Sequence, residues 1–262
     1  MLRIRIITAI ISLLILGAVL FVLPPEVAAL VIAFLVLAGA WEWSGFLGLS
    51  SGSSRWLFVA LIGGLMATVA LVIPERSELI LQIACVWWFI AFIWTFLFPT
   101  PIPVAIRWLA GALVLVPLFV ALLFLYRVSP QILLFALLIV WVADIGAYFA
   151  GKQFGRVKLA PSISPGKTWE GVFGGLIMVA ILTAVWTHFT GMELAVMLPF
   201  CLAVGALSVV GDLTVSMFKR TAGVKDSGKL FPGHGGVLDR VDSVSAAAPL
   251  FSLGLSWLGL VS

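Results

Sequence analysis

Long apolar runs, separated by short breaks, make up most of this chain. A helix needs about 20 apolar residues to cross the hydrocarbon of a bilayer, and the runs are close to that length. Proline, serine, glycine and charged residues mark the breaks between them. The pattern predicts nine transmembrane helices, at residues 6–23, 27–46, 57–73, 79–98, 107–126, 131–149, 171–189, 193–215 and 243–261.

These runs are continuous and do not alternate, which excludes a membrane β-barrel and predicts an all-α, polytopic membrane protein. The composition agrees, with 63% hydrophobic residues and only 10% charged ones. We expect one membrane domain over residues 1–262, because no repeat or soluble segment is visible. Residues 1–130 carry little internal charge and are interpreted as scaffold helices, whereas residues 131–262 are interpreted as catalytic helices and loops.

The distribution of basic residues predicts the orientation of the chain. With a cytoplasmic N-terminus, nine spans place all but Arg76 and Arg127 of the 15 lysines and arginines on the cytoplasmic side. The first run is about 18 residues long without a clear cleavage site, so we interpret it as a helix and not a signal peptide. We therefore expect a multi-pass protein of the cell inner membrane, with its polar loops 150–170 and 216–242 in the cytoplasm.

Cysteine positions and net charge argue against two kinds of site, a cysteine-based metal site and a nucleic-acid interface. Cys85 and Cys201 lie inside predicted spans, so neither a disulfide nor a cysteine metal site is expected. The excess of basic residues reflects the positive-inside bias, and no basic run with interleaved aromatics indicates a nucleic-acid partner.

Apart from Glu193 at the first position of a span, three carboxylates fall inside predicted spans, where ionisable groups are costly and indicate function. Glu42 stands between Trp41 and Trp43, which favours interfacial anchoring over a functional role. Asp144 is surrounded by small residues, which indicates close helix packing or room for a ligand. Asp212 lies four residues before Ser216 on one helical face, so the two side chains can offer oxygen to one cation.

Asp239 and Asp242 project from one face at the predicted start of the ninth helix. Acidic residues are also favoured at any helix N-terminus, so this pair alone leaves a purely structural role open. The metal interpretation gains weight from Asp212 at a similar depth and from a group of nearby cations, because carboxylates and phosphates together suit Mg²⁺. The cations are Lys219, Arg220, Lys225, Lys229 and Arg240.

Two glycine-containing segments have the composition of phosphate-binding loops. Residues 232–236 place three glycines around His234, which fits either a phosphate cradle or an ordinary turn. His234 itself is interpreted as hydrogen-bonding scaffold more readily than as a catalyst. Gly166, Lys167 and Thr168 resemble the end of a nucleotide-binding P-loop, but Pro161 replaces its first glycine and we reject that interpretation. Lys167, at the predicted start of the seventh helix, is kept as an anion site.

The residues from Ser216 to Asp242 resemble the signature of the phosphatidate cytidylyltransferases, also called CDP-diacylglycerol synthases. The resemblance extends to the segments around Asp144, Lys167 and Asp212, and so covers the C-terminal half. Ile145, Gly166 and Thr214-Val215 depart from the residues common in that family, without affecting the carboxylates.

The resemblance implies transfer of a cytidylyl group from CTP to phosphatidate with Mg²⁺, a second cation being possible, in a homodimer within a lipid membrane. Four carboxylates would then hold the metal: Asp144, Asp212, Asp239 and Asp242. The same four would act in catalysis together with Ser216 and Lys219. The substrate-binding residues it implies are Lys167, Thr168, Arg220, Lys225, Asp226, His234, Gly235, Gly236 and Arg240.

Two alternatives stay open at this point. One is a related membrane cytidylyltransferase or lipid kinase that uses a polyprenyl or archaeal lipid. The other is a transporter of anionic solutes, since broken helices and buried carboxylates also serve transport. The lack of an inverted repeat and the clustering of charge at one end of the helices argue against the transporter.

Overall fold

The computed structural model describes residues 2–49, 51–228, 230 and 235–260, which form a helical bundle with one short β-hairpin. A 3₁₀ turn, Ser44–Leu47, continues the second helix, and a π turn, Thr68–Val72, continues the third. The helices of the described residues are α1 Leu2–Phe21, α2 Pro25–Trp43, α3 Gly52–Ala67, α4 Ser77–Leu97, α5 Val104–Val128, α6 Pro130–Phe154, α7 Trp169–Thr190, α8 Leu194–Thr221 and α9 Leu238–Trp257.

A helix lies at each of the nine predicted places, but the number of spans is not thereby confirmed. Seven helices of the described chain, α2 to α8, are long and apolar enough to cross a membrane. The described part of α1, Ile10–Phe21, is a shorter apolar helix, and α9 carries polar residues. The protein is thus a polytopic, mostly helical membrane protein.

The position of α9 explains its polar composition. This helix contacts α2, α4, α5, α6 and α8, and it is buried along most of its length. Its buried serines satisfy their hydroxyls on the helix backbone, as when Ser245 donates to the Asp242 carbonyl at 2.6 Å and Ser252 to the Ala248 carbonyl at 2.9 Å. A central helix that faces protein on most sides does not need a lipid-facing apolar surface.

Helices α6 and α7 are held together by small residues, as the neighbours of Asp144 indicated. A methyl group on Gly146 would lie 2.7 Å from the Gly174 carbonyl oxygen, and one on Gly175 would lie 2.6 Å from the Ala143 carbonyl oxygen. The two backbones are therefore in direct contact, which only glycine permits at these positions.

A β-hairpin between α6 and α7 occupies much of the polar loop predicted over 150–170. Strand β1, Lys158–Ala160, pairs antiparallel with β2, Ser164–Thr168, so that Lys158 lies opposite Thr168 and Ala160 opposite Ser164. The hairpin is fixed to α8 because Arg220 Nε donates to the carbonyl of the buried Ile163 at 3.1 Å.

The first residues of the second polar segment are helical. Helix α8 continues to Thr221, so Ser216, Lys219 and Arg220 are helical and do not lie in a loop over 216–242. Ion pairs and hydrogen bonds described below connect the C-terminal ends of α2 and α8, the N-terminal end of α9 and the hairpin. The polar residues predicted to form the site thus meet at one end of the bundle.

Candidate active site

Close packing of α8 on α9 brings two of the predicted carboxylates together. A methyl group on Gly211 would lie 2.6 Å from the Asp242 carbonyl oxygen and 3.0 Å from the Ala246 Cβ, so glycine permits this approach. Asp212 follows Gly211 directly, and its carboxylate lies within electrostatic range of the Asp242 carboxylate. Two acidic groups from different helices therefore share one site.

The Asp212 carboxylate binds one cation and one hydroxyl. Lys167 Nζ lies 2.7 Å from Asp212 Oδ2, and Ser216 Oγ donates to Asp212 Oδ1 at 3.0 Å. The predicted pairing of Asp212 with Ser216 on one helical face is confirmed. Lys167 lies in β2, two residues before α7, so its predicted position at the start of that helix is wrong and the hairpin positions it instead.

Lys219 links the two carboxylates of α9. Its Nζ donates to Asp239 Oδ1 at 2.9 Å and lies 3.8 Å from Asp242 Oδ2. All three side chains are largely buried, with at most 12% of any one exposed. An ammonium between two buried carboxylates offsets charge that would otherwise be costly to remove from water.

Asp239 also holds the segment that leads into α9. Its Oδ2 accepts hydrogen bonds from Ser227 N–H and Gly236 N–H, each at 2.9 Å. Burial raises the pKa of the Asp239 carboxyl, but the Gly236 N–H and the Lys219 ammonium together outweigh it and hold the pKa below its ordinary value. Asp239 is thus ionised at neutral pH, and its carboxylate joins α8, α9 and the segment before α9.

Glu42 is a buried part of this site, which corrects the expectation of an interfacial anchor. Its Oε1 accepts from Val237 N–H at 2.9 Å, and its Oε2 accepts from Leu238 N–H and from Ser227 Oγ, each at 2.8 Å. The two amides belong to the unpaired N–H groups at the start of α9, where a negative charge is stabilised. Glu42 therefore fixes the first turn of α9 from a helix almost 200 residues away in sequence.

Neighbouring aromatic residues explain how Glu42 reaches the interior. The buried Trp43 packs against Phe218 of α8 with ring centroids 5.0 Å apart, and its Nε1–H donates to the Arg107 carbonyl at 3.0 Å. These contacts attach the end of α2 to α8 and α5. The carboxylate on the preceding residue is thereby directed to α9.

The glycines of the signature fit around these carboxylates. The Cα atoms of Gly228 and Gly236 lie so close to Glu42 that a side chain on either would overlap its carboxylate. Gly235 has φ of +83°, which favours glycine, and a methyl group there would lie 2.6 Å from Asp239 Oδ2. The close approach of these glycines is thus explained by contacts with protein carboxylates, and the phosphate-cradle role expected for Gly235 and Gly236 stays a prediction.

The remaining predicted residues surround the same end of the bundle. Asp144 on α6 is exposed and lies within electrostatic range of Asp212, Lys167 and Arg240. Thr168 Oγ1 accepts from Gly171 N–H at 3.2 Å and so caps α7, while Arg220 holds the hairpin. Lys225 and Asp226 are exposed, and His234 lies outside the described residues.

The donor set suits a magnesium ion bound mainly by substrate and water. Within the described ranges, no three acidic, histidine or cysteine side chains are placed to share one ion. Mg²⁺ usually takes one or two carboxylates and completes its octahedron with water and substrate phosphate, so a pair is enough. Asp212 and Asp242 provide such a pair of hard oxygen donors, and the lysines beside them can re-pair with phosphate.

Comparison with known proteins shows the family to which this chain belongs. A sequence model of the cytidylyltransferase family matches residues 3–258. A phosphatidate cytidylyltransferase of Pseudomonas aeruginosa is 41% identical over 98% of this chain and 97% of its own length. One of Haemophilus influenzae is 37% identical over 96% of this chain and 98% of its own, and one of Staphylococcus aureus is 46% identical over 46% and 47%. The resemblance inferred from the motifs is confirmed, and the chain belongs to the cytidylyltransferase family.

Proposed function

We propose that this protein transfers the cytidylyl group of CTP to phosphatidate, giving CDP-diacylglycerol and pyrophosphate in phospholipid biosynthesis. Family membership and near full-length relatives named for this activity support the assignment. The structural observation that carries it is the set of carboxylates and lysines at one end of a bundle of apolar helices. There a charged, water-soluble nucleotide and a membrane-bound phosphate can meet.

The reaction needs positioning and charge neutralisation more than proton transfer. A phosphate oxygen of phosphatidate attacks the α-phosphorus of CTP, and the bond from that phosphorus to the oxygen bridging to the β-phosphorus breaks. Pyrophosphate leaves with the bonding electrons. Because the attacking phosphate is already anionic at neutral pH, no general base is required. Bringing two polyanions into line is the difficulty, and fixed cations offset it.

Two lysines are placed to take phosphate oxygens. Lys167 pairs with Asp212 at 2.7 Å, and Lys219 pairs with Asp239 at 2.9 Å. Each ammonium has three N–H donors with which to bind phosphate oxygens. Further positive charge around the site comes from Arg220, from the exposed Lys225 and from Arg240, which lies near Asp144.

Asp212 and Asp242 would hold Mg²⁺, with Ser216 orienting Asp212 and with Asp144 and Asp239 close by. When bound, the ion supplies charge neutralisation for the nucleotide phosphates. A second cation remains part of the proposal. The contacts of Asp239 give it in addition the role of holding Ser227 and Gly236.

The proposed setting is the cytoplasmic membrane, with the site facing the cytoplasm, as the distribution of basic residues supports. Single cysteines test the orientation in a variant without Cys85 and Cys201. Val157→Cys and Lys225→Cys, both exposed near the site, should react with an impermeant thiol reagent from the cytoplasmic face. Thr190→Cys, exposed at the other end of α7, should react from the opposite face. Labelling of positions 157 and 225 from opposite faces contradicts the orientation.

A homodimer is proposed on the family resemblance alone. Light scattering of the detergent-solubilised protein, with the bound detergent subtracted, should give twice the chain mass of 28.1 kDa. A measured mass equal to that of one chain would contradict the homodimer.

The activity is tested by measuring pyrophosphate release from the purified protein with CTP, Mg²⁺ and phosphatidate in mixed micelles. Release should require all three components and should stop with EDTA. Parallel assays with a polyprenyl phosphate or with an archaeal-type ether lipid phosphate test the alternative lipids. Faster release with one of these than with phosphatidate contradicts the proposed substrate.

A further inference from the structure

A cavity of about 810 Å³ lies between α2, α3 and residues 224–228 and 230, beside Asp212, Asp239 and Asp242 but not lined by them. One face of α2 forms a wall, with Phe34, Leu37, Ala38 and Trp41 at helical spacing. Trp56 and Val59 of α3 form the opposite wall. The size is within the range of small-molecule sites.

This cavity opens sideways, between α2 and α3. Phe34 and Trp56 on its walls are 69% and 62% exposed, so the cavity reaches the outer surface of two helices long enough to cross a membrane. Phe34 stands eight residues before Glu42, which is about 12 Å along the helix axis. The apolar wall thus extends from the polar end of the bundle toward the middle of the bilayer.

The polar end of the cavity is continuous with the site. Glu42, Asp226, Ser227 and Gly228 line it, and Ser227 N–H donates to Asp239. The charge of Glu42 is already compensated by three hydrogen bonds. A cation, Arg55, lies at the same end, its guanidinium beside Gly45 and 5.7 Å from the centre of the Trp41 ring.

We propose that this cavity binds the lipid substrate, a glycerolipid phosphomonoester, with an acyl chain along Phe34, Ala38 and Trp56 and its phosphate held by Arg55 before transfer to the lysines. The inference rests on the proposed function for the identity of the lipid. The chemistry of the walls favours this occupant, because an apolar groove open to the bilayer accepts a hydrocarbon chain but offers a nucleotide nothing that compensates for lost water. Among the described residues that line the cavity, Arg55 is the one cation and would attract a phosphate, whereas the exposed Asp226 would repel it.

Kinetics of groove variants test the proposal. Ala38→Trp fills the groove and Arg55→Gln removes the cation, so each should raise the KM for phosphatidate by about tenfold and leave the KM for CTP unchanged. The matched controls are Ala60→Trp, on an exposed position of α3 outside the cavity, and Arg127→Gln, at the end of α5 away from the site. An unchanged KM for phosphatidate in both groove variants overturns the proposal.

Binding without turnover separates this proposal from the proposed activity and does not depend on the variants folding. The wild-type protein is irradiated with a phosphatidate that carries a diazirine in its acyl chain, and the modified peptides are sequenced. Adducts should fall on residues 34–41 and 56–59 and should be displaced by unlabelled phosphatidate but not by phosphatidylethanolamine. Adducts elsewhere, or equal displacement by both lipids, contradict a substrate site. Correct adducts on a protein that forms no CDP-diacylglycerol would refute the activity and leave the lipid site standing.

Discussion

Helices α8 and α9 and helix α2 contribute to the site in different ways. Helices α8 and α9 carry the carboxylates that we propose act in the reaction, and Asp212, Asp239 and Asp242 are paired to lysines. Helix α2 belongs to the half of the chain with little charge, and it contributes Glu42, whose partners are the first amides of α9 and Ser227. In the proposed mechanism, α8 and α9 provide the groups that act on the substrates, and α2 fixes the position of α9. A charge in an otherwise apolar half of a membrane protein therefore merits the same attention as a charged motif.

The largest effect should come from the reactive region. Asp242→Asn and Asp212→Asn each remove a hard anionic donor while keeping its size. We expect kcat to fall by about 10²–10³-fold, as for other groups that stabilise a charged transition state. Pyrophosphate release measures the loss, and the thermal midpoint of the detergent-solubilised variant checks that the fold is kept. Near-normal turnover at ordinary Mg²⁺ in both variants would exclude these carboxylates from the reaction.

The supporting region should show a smaller but clear effect. In Glu42→Gln an amide group replaces one of the two oxygens that face Val237 N–H and Leu238 N–H, and the negative charge at the start of α9 is lost. We expect kcat to fall by about 10–100-fold, because hydrogen bonds to a charged group contribute about 1.5–3 kcal/mol.

Glu75→Gln, on an exposed residue of the turn before α4, is the matched control and should keep its activity. Hydrogen exchange separates support from catalysis, since Glu42→Gln should speed exchange of the first amides of α9. Full activity of Glu42→Gln would show that α9 is positioned without this contact.

A methyl group tests the same contact from its other side. Gly236→Ala places a Cβ against the Glu42 carboxylate, which must shift away from α9. We expect a fall in kcat of about tenfold, comparable with the low end of Glu42→Gln. In Gly64→Ala the new methyl group meets nothing within 4 Å, so this control should be active and no less stable. Equal behaviour of the two alanine variants contradicts the close packing of Gly236 on Glu42.

The smallest effect should follow from Ser216→Ala, which removes one neutral donor to Asp212. The hydrogen bond at 3.0 Å orients the carboxylate but does not neutralise it. We expect a fall in kcat of about fivefold, corresponding to about 1 kcal/mol. A titration with Mg²⁺ should show a higher metal requirement than that of the wild type. A loss as large as that of Asp212→Asn would mean that Ser216 contacts a substrate directly.

Local patterns in the sequence were enough to predict where the helices lie and which carboxylates come together at one end of them. Apolar runs predicted a helix at each of the nine places, and a four-residue spacing predicted the contact of Ser216 with Asp212. Small residues around Asp144 indicated the close packing of α6 on α7. Each of these inferences uses only neighbours along one helix or one run of residues.

The features that were missed depend on contacts between distant segments. Adjacent helical residues point about 100° apart, so Trp41 can pack against Trp56 of α3 while Glu42 accepts hydrogen bonds from α9. The flanking tryptophans alone did not indicate this. The hairpin was missed because its strands are short and contain Pro165 and Gly166, and one contact that holds it is Arg220 with Ile163. The central position of α9 explains why its hydropathy alone was a poor guide to its place in the bundle.

The most direct test of the account follows the fate of CTP labelled on its α-phosphate. The purified protein is supplied with labelled CTP, Mg²⁺ and phosphatidate, and the lipid and aqueous fractions are analysed by mass spectrometry. The account predicts that the label passes into CDP-diacylglycerol, with one pyrophosphate released for each lipid product, and that Asp242→Asn forms neither. Release of label as free CMP without a lipid product, or equal product from the wild type and Asp242→Asn, would contradict it.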